Sequence, residues 1–183
     1  MSRLYLRHGT QSSKDGIIYH DVTSLYNHLG DIFCRILPVF HALTGSDYTF
    51  PFFRHSKYDI FKKILQVPFS AELLSSLSTS SVNVNVIIDF VLHIVYNRKQ
   101  TEKTPGESRY AMLFEKGSKS KRKRFTDTRR IPPDEASLKM KIKRAHYVTL
   151  GWVNCLNGQY ELPNPLHYGW KLDDYHSVIP FWY

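Results

Sequence analysis

The stretch Leu37-Pro-Val-Phe-His-Ala-Leu-Thr-Gly-Ser-Asp-Tyr-Thr49 constrains this chain more than any other. Ile36, Leu37, Phe40 and Leu43 recur at the spacing of one apolar helical face. Gly45 stops the pattern, as a helix-ending residue with access to positive φ does. Tyr58, Phe61, Ile64 and Leu65 then form the face of a second helix that must pack back on the first, with Lys62 and Lys63 on its wet side. The unit is therefore helix, tight turn, helix. Pro38 lies inside the first helix and is expected to kink it or split it. Asp47 sits in the turn, where a carboxylate can accept backbone N–H bonds or cap the next helix. It can also ligate a hard divalent ion, but one carboxylate does not make a metal site.

With 183 residues the chain is long enough for one domain with a real core, or a domain plus an appendage. The 12 Tyr, 11 Phe and 3 Trp argue against disorder. The two cysteines, Cys34 and Cys155, fit small buried residues of a reduced compartment better than a disulfide framework or a zinc site. The N-terminus has no signal-peptide core, and the apolar run Val86–Val95 is too short to span a bilayer. No membrane association is expected.

Periodicity places helices over 22–29, 31–44, 57–66, 84–97 and 134–155. Asp21 or Thr23 caps the first of these, and Gly30 ends it. Residues 70–77 suit a short helix, and the serine-rich stretch after it a loop. The β-branched content of Val84–Tyr96 leaves a buried strand open, although length favours a helix. Arg3–His8 alternates like a strand, with Ile17–Tyr19 a second short apolar run. The Ile131-Pro-Pro-Asp-Glu sequence starts the last helix, whose exposed sides take Lys139, Lys141, Lys143 and Arg144. After Asn157-Gly158 the tail reads as an irregular aromatic strap.

The formal charge is +9, a balance that favours polyanions such as nucleic acid. Much of the excess lies in Lys116-Gly-Ser-Lys-Ser-Lys-Arg-Lys-Arg124, followed by Arg129 and Arg130. The run reads first as a solvated, flexible linker. Its functional readings are a nuclear localisation signal or an arm for non-specific phosphate contacts. Candidate contacts to DNA or RNA are Lys57, Lys62, Lys63, Lys119, Lys121, Arg122, Lys123, Arg124, Arg129, Arg130, Lys143 and Arg144.

The block Phe40-His-Ala-Leu-Thr-Gly-Ser-Asp-Tyr-Thr49 resembles the Gly-x-Asp-Tyr turn of PIN-like, flap-endonuclease-like nucleases. It is more similar to a group of uncharacterised, mobile-element-linked animal proteins with a His-Ala-Leu-Thr-Gly-Cys-Asp motif. Leu4–Thr10, Lys143–Tyr147, Trp152, Pro163–Pro165 and Gly169–Lys171 resemble the same group, in the same order. Ser46 stands where those proteins usually have cysteine. The resemblance implies that Asp47 matches a metal-binding acid of the nucleases, with Mg2+ as its ion. Two departures weigh against activity. Phe52–Lys57 lacks the glycines of the hairpin that grips DNA in those enzymes. Asp15, Asp21 and Asp31 do not match the acids of the preceding strands.

The expected fold is therefore mostly α: a truncated α/β PIN-like remnant with at most a small N-terminal sheet and a helical C-terminal extension. The divisions are a partial nuclease-like region over 1–68, a helical extension over 69–115, a basic flexible linker over 116–130, and a helix with aromatic tail over 131–183. The expected function is a non-catalytic nuclease-fold remnant with non-specific nucleic-acid binding and no cofactor. The alternatives are a divergent Mg2+-dependent nuclease using Asp47 and a protein–protein scaffold. An edge strand at Leu4–Leu6 invites a partner that completes the sheet. Nucleus is favoured over cytoplasm.

Overall fold

The computed structural model describes residues 2–114 and 127–181. It is mostly helical, with a two-stranded sheet at each end of the chain. Strands β1 (Tyr5–His8) and β2 (Ile18–Asp21) form an antiparallel hairpin, with Leu6 opposite His20 and Arg7 opposite Tyr19. The Asp21 carboxylate accepts from the Ser24 N–H at 2.9 Å and caps helix α1 (Val22–Leu29). The hairpin and α1 bury no residue of their own.

Helix α2 (Asp31–Thr44) runs unbroken through Pro38, so the expected split does not occur. Pro38 removes one helical donor, the partner of the Cys34 carbonyl, near the half-buried margin of the helix. Ile36, Val39, Phe40, Ala42 and Leu43 fill the core from α2. Helix α3 (Lys57–Gln66) contributes Ile60 and Ile64, and the ring of Phe61 lies 5.3 Å from that of Phe40. Ser56, not Asp47, caps α3, accepting from the Asp59 N–H at 3.1 Å. Pro68 opens α4 (Pro68–Ser75) as its first residue, where a missing N–H costs nothing.

Helix α5 (Val84–Phe90) passes into a π-helical turn over Val91–Val95, and both present apolar residues to the core. The strand alternative for this run is thereby overturned. Asn97 then takes φ 53°, and a buried ion pair follows. Arg98 holds both oxygens of Glu102, at 2.6 and 2.7 Å, with the side chains only 10% and 9% exposed. Helix α6 (Pro105–Phe114) begins in a polar stretch of the expected helical extension.

Helix α7 (Glu135–Val153), capped by Asp134, is the centre of the molecule. It packs most extensively on α2 and is buried on nearly every side. The tail is not irregular. A single 3₁₀ turn over Pro165–Tyr168 ends at Gly169, and β3 (Trp170–Leu172) pairs antiparallel with β4 (Val178–Pro180). Gly169 has φ 83°, and a Cβ there would lie 3.1 Å from the Met140 carbonyl oxygen. Glycine thus lets the tail lie directly on α7. Cys34 is half-buried and Cys155 exposed, both as free thiols, which corrects the expectation of two buried cysteines. No described helix is long and apolar enough to cross a membrane.

Candidate nucleic-acid interface

Three segments converge beside α7. Phe50–Phe53 leaves the Gly45 turn, Thr128–Pro133 leads into α7, and the tail brings Phe181. Between them lies a cleft of about 410 Å³. Four cations line it: Arg109 from α6, Arg129 from the segment before α7, and Lys141 and Arg144 from α7. Among the described residues no carboxylate side chain lines it.

Each cation is positioned by a specific bond. Arg109 donates to the Pro132 carbonyl at 2.6 Å. Arg129 grips both oxygens of Asp127 at 3.0 Å, and its guanidinium lies 4.7 Å from the centre of the Phe53 ring. The Asp127 carboxylate raises the Arg129 pKa further above its ordinary value. Arg144 donates to the carbonyls of Gly169 and Phe181, at 3.2 and 2.6 Å. Lys141 donates to the Phe50 carbonyl, and its ammonium sits 4.5 Å from the Phe52 ring centre. Burial, reinforced by the Arg144 and Lys57 charges, pushes the Lys141 amine down to about 7. Burial also lowers Arg144, to about 10.

Lys141 is 7% exposed and Arg144 2%, so neither occupies the exposed side of α7 that the amphipathic pattern assigns to it. The signal missed was the tail: its carbonyls supply the acceptors that allow a guanidinium to be buried. Lys143 is half-buried on the same helix.

A second group of polar and aromatic residues gathers around Lys57, whose charge bears on Lys141. At the start of α3, the Lys57 ammonium donates to Nδ1 of His41 in the last turn of α2. The His41 ring stacks on Trp152 of α7 with centres 5.5 Å apart. Burial and the Lys57 charge hold the His41 pKa below its ordinary value, while Asp47 opposes them. Burial lowers the Lys57 pKa too. Exposed Tyr48 and Phe50 stand on the intervening turn.

The remaining candidates do not join this group. Lys62 is exposed over the Tyr58 ring, at 4.7 Å. Lys63 is half-buried, not on the wet face, and donates to the Ile94 and Val95 carbonyls at 3.0 and 3.4 Å. Arg130 is exposed beside Arg129. Lys119, Lys121, Arg122, Lys123 and Arg124 lie outside the described residues.

Asp47 is exposed at the tip of its turn, and neither caps α3 nor closes the turn. Ser46 and Thr49 close it through reciprocal backbone bonds of 2.9 and 3.3 Å. Among the described residues no group of three or more His, Cys, Asp or Glu side chains is placed to hold a metal ion. Asp47 thus stands without companion ligands among the described residues, a poor fit to the divalent ion that the nuclease resemblance implies.

The chain matches no family model, no curated protein and no solved structure.

Proposed function

We propose that this protein binds nucleic acid without catalysing its cleavage, and that it descends from a PIN-like, flap-endonuclease-like domain that has lost its metal centre. The observation that carries the binding reading is the cleft, where Arg109, Arg129, Lys141 and Arg144 converge from three segments of the chain. Exposed Phe50 and half-buried Phe53 flank the cations. Alternating cations and aromatic faces suit a single strand, whose phosphates meet the charges and whose bases stack. Lys57 beside His41 and Trp152 extends the same chemistry past the cleft. The basic run Lys116–Arg124 adds charge for non-specific phosphate contacts or serves as a nuclear localisation signal. The descent rests on the Phe40–Thr49 block and the ordered blocks around it.

Fluorescence anisotropy with single- and double-stranded oligonucleotides, over a range of salt concentrations, tests the binding. The expected result is salt-dependent binding that favours the single strand. Absence of binding to either form at low salt refutes the reading. Incubation with Mg2+ or Mn2+ leaves the oligonucleotides intact; cleavage lost in Asp47→Ala would instead establish a nuclease. Fluorescent fusions with and without residues 116–124 separate a localisation signal from a binding arm.

A further inference from the structure

The cleft contains a group that nucleic-acid binding alone does not require. Lys141 lies in its wall, 7% exposed, inside a space of about 410 Å³. That volume falls within the range of small-ligand pockets, roughly 300–1,000 Å³. A lysine used only to neutralise phosphate needs no such burial and works best fully solvated and charged. Here the amine is pressed against the Phe52 ring, bonded to the Phe50 carbonyl, and surrounded by further cations.

We propose that Lys141 forms an imine with a ligand that carries both an aldehyde and a phosphate group. Desolvation and neighbouring positive charge are the two means by which proteins keep a lysine amine neutral and nucleophilic. Both act on Lys141: it is buried, and Arg144 from its own helix and Lys57 from α3 are the charges that bear on it. Arg109 and Arg129 complete the positive lining of the cleft. A neutral amine can keep one N–H on the Phe50 carbonyl and still present its lone pair.

The step balances without an oxidant or reductant. The Nζ lone pair forms a bond to the aldehyde carbon, and a proton moves from nitrogen to the former carbonyl oxygen. The resulting carbinolamine loses its hydroxyl together with a proton as water, leaving the C=N bond. Arg129 is exposed at the cleft and holds Asp127 through Nε and Nη2, so it would meet the phosphate through Nη1.

The shared chemistry has two sources: a small phosphorylated aldehyde, or the ring-opened sugar of an abasic site in a nucleic-acid strand. The second source rests on the nucleic-acid reading above; the first does not.

The test is reductive trapping on the full chain. One arm uses pyridoxal 5′-phosphate, the other a single-stranded oligonucleotide with one abasic site. Each is incubated near pH 7 with cyanoborohydride, and the modified peptides are mapped by mass spectrometry. The expected result is modification at Lys141 in at least one arm, about tenfold or more above exposed Lys62, because burial among cations keeps the Lys141 amine neutral and nucleophilic. Lys141→Arg replaces the nucleophilic amine with a guanidinium of similar reach and should abolish the trapped product. Peptide mapping of the unaltered protein needs no variant and decides the matter if that variant fails to fold. Labelling spread evenly over exposed lysines, labelling unchanged in Lys141→Arg, or no labelling in either arm overturns the proposal. Anisotropy with an intact oligonucleotide runs in parallel. Binding without trapping removes the imine and leaves the nucleic-acid reading standing; trapping with pyridoxal 5′-phosphate and no oligonucleotide binding does the reverse.

Discussion

The Thr49 hydroxyl donates to the carbonyl of Ala42, in the last turn of α2. That carbonyl is among the last of the helix, which have no donor from the following turn. Thr49 is buried and Asp47 exposed, so the hydroxyl rather than the carboxylate fastens the turn to the helix.

Thr49→Val should therefore destabilise the fold by about 1–3 kcal/mol, since it leaves a buried acceptor without its partner. Asp47→Asn should stay within about 0.5 kcal/mol of the parent, as surface changes usually do. Urea unfolding followed by circular dichroism measures both. A larger loss for Asp47→Asn than for Thr49→Val would refute this account of the turn.

Gly45 has φ 129°, and a Cβ there would stand 3.0 Å from the Pro51 Cα. Gly45→Ala meets both a rare backbone conformation and a backbone neighbour that has little room to yield. The expected loss is about 1–3 kcal/mol, visible as a lower urea midpoint with the slope unchanged. Gly158→Ala, whose added Cβ meets nothing within 4 Å, should cost much less.

Arg98 holds the Glu102 carboxyl below its ordinary value of 4.5, against the opposing effect of burial. A carboxylate with a depressed folded pKa contributes its full stability above the unfolded value, here pH 4.5, and loses it as pH falls through the folded value. The stability that this pair contributes should thus be flat down to about pH 5 and fall below it. Glu102→Gln should be less stable than the parent at pH 7 by about 1–3 kcal/mol, since Arg98 loses a charged hydrogen-bond partner. The gap should narrow toward pH 3. A gap that is constant with pH would show that the pair contributes nothing through its charge.

Salt separates the cleft from the basic run. If Arg129 meets one phosphate of a single strand, Arg129→Ala should reduce the slope of log affinity against log salt by about 0.7. Replacing Lys119, Lys121, Arg122, Lys123 and Arg124 together should reduce it by up to about 3.5 if every one of them touches phosphate. An unchanged slope in the multiple variant would assign the run to localisation or solvation. An unchanged slope in Arg129→Ala, with normal folding, would remove the cleft from the binding surface.

The helices of the first half were legible because each announces its ends. Asp21, Gly30, Gly45 and Ser56 stand at their boundaries, and one apolar stripe lies between each pair. The second sheet was not legible. Trp170–Leu172 and Val178–Pro180 are too short for alternation to register, and Pro180 argues against a strand. Its turn is held by Asp173, whose carboxylate accepts from the N–H groups of Tyr175 and Ser177 at 2.9 and 2.8 Å. The start of α6 was hidden by a polar sequence, Thr104-Pro-Gly-Glu107. At the site, Arg129 and Arg144 were legible as charges, but Arg109 and Lys141 were not legible as their neighbours. Periodicity places a lysine on a helix face; it does not say whether a distant segment of chain will cover that face. Phe50 meets Lys141 across 91 positions of sequence, a separation that no local pattern spans.

The packing of α2 on α7 also sets an order of events. Helix α2 ends at residue 44 and its main partner begins at 135. During synthesis at about 5–20 residues per second, Ile36, Val39 and Leu43 emerge seconds before the side chains that will cover them. Closing so long a loop is slow relative to forming the early helices. The nascent chain must therefore carry a partly uncovered apolar stripe on α2, shielded only by the early helices α1, α3 and α4, until α7 has left the ribosome, and in that interval it is a natural client for chaperones.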